Sequence, residues 1–230
     1  MYTLHHSEVK QDKLMNQSLL KKSGRIAAFL AGATLLVSCD RLITPNFETE
    51  VQELRGGGYT LDTDHAALLF KINHLGFSTF IGRFGDFDAT LDFDPENIEN
   101  SQLEVIVETA SIDVNLPEFS EELRGPSWFD VENYPQAVFR TTRFVEAVDE
   151  DTFIFEGDMT LLGQTNPVNL EVNFHGGGRN FLTRRYTLGF SGDMSFLRSD
   201  FGLDNMVSFG VGDEIDLEIH VEFQDAEPDS

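Results

Sequence analysis

The residues that could carry chemistry are few and poorly placed for it. HGGG at 175–178 has the form of an oxyanion loop, whose backbone N–H groups would stabilise a developing negative oxygen. That chemistry needs a nucleophile on a G-x-S-x-G elbow. The nearest stretch, GFSGD at 189–193, lacks the last glycine and lies in a strand pattern, so the glycines read better as a hairpin turn. Beyond Cys39 there are four histidines, His65, His74, His175 and His220, and none has the H-E-x-x-H spacing of a zinc site. DFDPEN at 92–97 has the carboxylates of a calcium loop without its glycine. Carboxylate pairs at alternate strand positions point to solvent, where nothing raises their pKa. The expectation is therefore a protein that is not an enzyme and holds no metal or cofactor.

One residue does have chemistry written around it. Cys39 is the only cysteine, which excludes an internal disulfide. It closes the stretch KKSGRIAAFLAGATLLVSC, in which Lys21, Lys22 and Arg25 precede an apolar run from Ile26 to Val37 and then the small Ser38. A helix of that run is about 18 Å long, too short for a hydrocarbon core of about 30 Å. The order of parts fits a secretory signal, and LVSC resembles a bacterial lipobox, whose cysteine is lipidated and becomes the first mature residue. Residues 1–38 are thus expected to be an N-terminal extension and lipoprotein signal peptide, with Met15 as the start. Residues 39–58, with Pro45 and a closing GGG, read as a flexible tether of roughly 25 Å r.m.s. span. Such a protein is expected at the bacterial cell envelope, membrane-anchored on the periplasmic or outer side.

Forty Asp and Glu against 16 Lys and Arg give a net charge of −24. From Cys39 onward, 11 basic residues face 38 acidic ones, a net of −27, and Lys71 is the only lysine. That surface repels phosphate backbones and excludes nucleic acid as a partner. It is not drawn to anionic lipid either, so attachment to a membrane has to come from acyl chains. The acidity is dispersed along the chain and reads as a solvating surface.

From Tyr59 onward, polarity alternates with a period of two, the signature of strands with one dry face. In DFDATLDFD at 86–94, Phe87, Ala89, Leu91 and Phe93 oppose Asp86, Asp88, Thr90, Asp92 and Asp94. Comparable runs at 66–74, 102–109, 137–144, 152–161, 168–175, 186–196 and 214–224 bring the total to eight strands, after a short lead-in at 59–63. Turn chemistry at 94–97, 149–151, 163–167 and 175–179 separates them. This predicts an all-β fold, an antiparallel sandwich or barrel, and the long strands suit an up-and-down barrel that closes its own edges. LPEFSEELRGPSWFD at 116–130 breaks the pattern with a short helix near 118–123 and the only tryptophan, Trp128. It either covers a mouth of the barrel or packs outside it. Residues 225–230 form an acidic tail.

The dry faces are rich in phenylalanine, 21 in the chain, aimed at a solid core or at a guest. Phe70, Phe87, Phe93, Phe155, Phe174, Phe190 and Phe196, with Leu91, Met159 and Trp128, are the candidate lining. His74 lies on the apolar side of its strand, either as a core histidine bonded to a neighbour or as a polar contact near a mouth. Arg198 and Asp200 read as an ion pair or turn former, with a ligand's headgroup as the alternative contact.

With these residues in view, the chain resembles the YceI-like family of polyisoprenoid-binding proteins of bacterial envelopes. The resemblance rests on YTLDTDHAALLFKINHLGFSTFIGRF at 59–84, SWFDVENYPQAVF at 127–139, GDMTLLGQTNPVNLEV at 157–172 and LRSDFGLDN at 197–205, in the family's order. It covers 59–224 and implies a lipocalin-like, extended eight-stranded barrel that holds a long isoprenoid, a polyprenol or quinone, in its interior. The lipobox departs from members that carry an ordinary cleavable signal. Burying ~500 Å² of such a tail would gain roughly 12 kcal/mol before ordering costs are subtracted. The expected partners are an isoprenoid ligand and a membrane held through Cys39, and a homodimer is left open. The rival reading is an envelope stress or structural lipoprotein acting through its acidic surface.

Overall fold

The structure is a computed structural model and describes residues 47–226. In chain order the elements are β1 (Phe47–Glu48), β2 (Gly57–His74), β3 (Ser78–Phe84), β4 (Phe87–Phe93), β5 (Gln102–Glu108), β6 (Ile112–Asp113), α1 (Pro117–Arg124), β7 (Gln136–Ala147), β8 (Thr152–Leu161), β9 (Gln164–Arg179), β10 (Tyr186–Leu197) and β11 (Val211–Asp225). All pairings are antiparallel, and β11 pairs with both β10 and β2, which closes the sheet. Both β3 and β4 pair with β2, at its far and near halves, so they are one row interrupted at Gly85–Asp86. The row β5–β6 is split in the same way. The barrel therefore has eight rows, as the alternation predicts, and the described residues include a single short α-helix. Closure removes the free edges that long strands of this kind would otherwise expose.

Three details differ from the sequence reading. The lead-in at 59–63 is part of β2, because four residues, 62–65, bulge out between the Leu61↔Phe223 and Ala66↔Val221 pairs. The 175–179 stretch is not a turn but the last five residues of β9, and the hairpin turns at 180–185 instead. Residues 47–58, expected in the tether, are docked. Phe47 and Glu48 pair with Gly178 and Gly177, Val51 and Leu54 are buried, and the Tyr186 hydroxyl donates to Glu48 Oε2 at 2.8 Å. Apolar Phe47, Val51 and Leu54 recur every three or four residues, enough to fasten the segment across the barrel end. Cys39, the segment expected to be a signal peptide and residues 227–230 lie outside the described residues.

The 116–130 connection is part of the wall. Beyond β6, which pairs for only two residues, the β3 edge lacks a strand, and aromatic rings fill the gap. Phe119 meets Phe80 edge-on at 6.2 Å, Phe129 meets Phe84 at 5.7 Å, and Trp128 meets Phe119 at 6.2 Å. Pro117 opens α1, where its missing N–H has no partner to lose. Arg124 ties the helix end to the sheet, donating to Ala110 O at 2.7 Å and Ile112 O at 3.0 Å.

Candidate ligand cavity

The dry faces do not meet in the middle. They enclose a cavity of about 510 Å³ that runs the length of the barrel. Val51, Phe93 and Phe174 mark one end of its wall, and His74, Met206 and Val211 the other. All eleven residues named from the sequence, Phe70, His74, Phe87, Leu91, Phe93, Trp128, Phe155, Met159, Phe174, Phe190 and Phe196, stand in this wall. Phe80, Phe84, Phe119, Phe129, Phe139, Phe153 and Phe223 stand there too and were not named. Alternation at 78–84 (Phe80, Gly82, Phe84) was the signal for the first two, whereas Phe119 and Phe129 come from a connection without periodicity.

Four wall residues are also exposed. His74, Glu122 and Met206 lie at the end formed by the β2–β3 tip, α1 and the turn at 207–209. At the other end only Gln102 does both, and Val51, 3% exposed, caps the wall. The mouth is thus at the His74 end. His74 is no core histidine; its ring lies 6.2 Å from that of Phe80 at the opening.

Away from the mouth, polar wall groups are already bonded to protein. Ser101 Oγ accepts from Asp94 N at 3.0 Å, Thr141 Oγ1 accepts from Leu103 N at 2.9 Å, and Ser191 Oγ bonds His175 Nε2 at 2.9 Å. Arg198, 4% exposed, does not pair with Asp200. It donates from Nε to Gly212 O at 2.8 Å and from Nη1 to Leu203 O at 2.6 Å, clamping the turn after β10, while its Nη2 is buried without a partner among the described residues. Burial pulls its pKa below the usual arginine range, against the opposing pull of Asp213 and Asp204. The interior therefore offers a guest apolar contact and almost no hydrogen bonds.

The 59–223 segment matches the model of the YceI-like domain. The chain belongs to the YceI-like domain family. A UPF0312 protein of Vibrio cholerae serotype O1 (strain M66-2) is 36% identical over 166 residues, covering 71% of this chain and 85% of the relative. One of Azotobacter vinelandii is also 36% identical over 166 residues, with the same shares. Among solved structures, the Campylobacter jejuni YCEI protein aligns at TM-score 0.59 and 28% identity, covering 68% of this chain and 91% of that one. A polyisoprenoid binding domain from Saccharophagus degradans, implicated in plant cell wall breakdown, aligns at TM-score 0.56 and 13% identity over 72% and 97%, a likeness of fold. The match to the YceI-like domain family spans the barrel from β2 into β11 and begins after the N-terminal stretch before residue 59.

On the outer wall, Asp62, His65 and Glu222 bring one ligand atom each within 4.8 Å, the one such group among the described residues. The Asp62 carboxylate bonds His65 Nδ1 at 3.0 Å and so raises the imidazole pKa.

Proposed function

We propose that this protein binds, stores or carries a long isoprenoid lipid, a polyprenol or quinone, in the barrel interior at the bacterial cell envelope. The observation that carries the reading is the cavity itself. At roughly 24 cal/mol per Å³, leaving 510 Å³ of apolar space unfilled costs on the order of 10 kcal/mol. That is comparable to the whole stability of an ordinary domain. A slender, methyl-branched chain restores those contacts without asking for hydrogen bonds, and the wall has few to give beyond His74 and the Arg198 Nη2. The family and the polyisoprenoid binding described for the Saccharophagus domain support the same reading. Enclosure needs no covalent step and no cofactor. In this reading Cys39 carries the acyl chains that hold the barrel at the membrane.

Mass spectrometry of the organic extract from natively expressed protein, with an intact-mass spectrum, tests it. Stoichiometric isoprenoid and a diacylglyceryl mass on the chain are expected. Ala89 is a small, buried wall residue, so Ala89→Phe places a ring in the cavity and should cut retained isoprenoid at least tenfold while the fold survives. An empty barrel that also refuses added quinone and polyprenol would overturn the reading.

A further inference from the structure

Two loop tips at the mouth carry side chains that water disfavours. The β2–β3 tip and the turn at 207–209 lie side by side there: Val211 pairs with His74, and a Cβ built on Gly210 would meet Leu75 Cδ2 at 3.5 Å. Phe77 is 87% exposed and Phe209 73%, with Leu75 and Met206 also exposed beside them. Two of these four sit in the left-handed region, Leu75 at φ 58° and Met206 at φ 66°. Glycine or asparagine adopts that backbone with less strain, so each tip holds an apolar side chain outward against local preference. Carboxylates are absent from both tips, and Glu122 on α1 is the exposed carboxylate of the wall at this end. Residues 65–85 and 205–212 contain no Asp or Glu, although 40 acids in 230 residues would put three or four in the first stretch alone.

We propose that this rim is a docking surface for a bilayer of zwitterionic lipid, through which the cavity is filled and emptied. The proposal rests on the reading that the cavity takes an isoprenoid. Met206 belongs both to the wall and to the exposed rim, so a guest leaving the cavity slides from one apolar surface onto another and then into the acyl region. Apolar and aromatic loop tips settle into the membrane interface, and tips without carboxylates are spared the repulsion that the rest of this acidic surface meets at lipid phosphates, with Glu122 set back on α1 as the one acidic wall residue. The opposite tip, at 180–185, also exposes Phe181 and Leu182 but lies away from the mouth, which makes it the control.

Full-length Phe77→Trp, Phe209→Trp and Phe181→Trp variants, each made like their parent with Cys39→Ser so that no acyl chain anchors the capped end, are mixed with phosphatidylcholine vesicles whose acyl chains are brominated. Quenching above that of the parent, which has Trp128 alone, is expected for the first two and not for the third. No added quenching at 77 and 209, or quenching at 181 in their place, overturns the docking. In a second measurement, Phe77→Ser/Phe209→Ser should take labelled polyprenol from vesicles at least tenfold more slowly, while the amount retained after loading from detergent micelles stays that of the parent. An unchanged transfer rate overturns the loading role. If neither protein retains polyprenol, the cavity reading and the loading role fall, and the quenching still decides the docking. A dimer in sedimentation equilibrium that the double variant loses, without quenching in the tryptophan variants, assigns the rim to a second copy and overturns the proposal.

Discussion

The rings of Phe70, Phe139 and Phe47 occupy the places where Gly82, Gly157 and Gly176 have no side chain, and a Cβ at any of the three would overlap the ring above it. For Phe70 and Phe139 this lays the ring along the wall and leaves the middle of the barrel open. Gly82→Ala should push Phe70 inward, lower the urea midpoint by the equivalent of about 1–3 kcal/mol, and shrink the space for a guest. Tyr186 carries a different load. Burial, together with its bond to Glu48, pushes its pKa up to about 12 from 10. A phenol that holds its proton more tightly in the folded state stabilises fully below the unfolded value and loses that contribution as pH climbs through the folded one. Stability should therefore fall by roughly 2 kcal/mol between pH 10 and 12 on this group's account, and Tyr186→Phe should remove most of that loss in denaturant titrations across the window.

Among the elements, those with strict alternation were legible and those built by tertiary contact were not. Phe87, Ala89 and Phe93 follow period two in the sequence and are buried wall residues in the barrel. The segment before Tyr59 has no such period, and its three glycines looked like slack. What fixes it is long-range: Gly177 and Gly178 give Phe47 and Glu48 a strand to pair with, Arg55 sits 4.8 Å over the Tyr186 ring, and Val51 enters the core. The same glycines invited a turn reading because close approach of another chain, not a change of direction, is what they allow. Val51→Asp would bury an unpaired carboxylate in the capped end and should cost about 3 kcal/mol or more, read as a lower thermal midpoint. Phe47→Ser, at a half-exposed ring, should cost about 1 kcal/mol at most.

At the largest scale, residues 47–226 form an apolar tube inside an acidic coat. Its cross-strand pairs, such as Arg140 with Glu104 at 2.8 Å and Arg143 with Glu156 at 2.8 Å, are exposed and add little stability. The larger electrostatic effect is self-repulsion from a charge of −24. Sodium chloride raised from about 10 mM to about 1 M shortens the screening length from roughly 30 Å to 3 Å and should lift the thermal midpoint by several degrees. The place where β1 begins has a further consequence. Phe47 pairs with Gly178 near the end of β9, so the chain leading back to Cys39 departs from the capped end. β2, 18 residues long with about three of them taken up by its bulge, spans about 38 Å along a tilted barrel axis. The eight residues 39–46 reach at most about 28 Å. A barrel held by acyl chains at Cys39 would thus stand like a post on one leaflet with its opening turned outward, and a rim that docks would touch a second bilayer. Acylated protein should then clump separate vesicles together in a turbidity assay, and Phe77→Ser/Phe209→Ser should leave them dispersed.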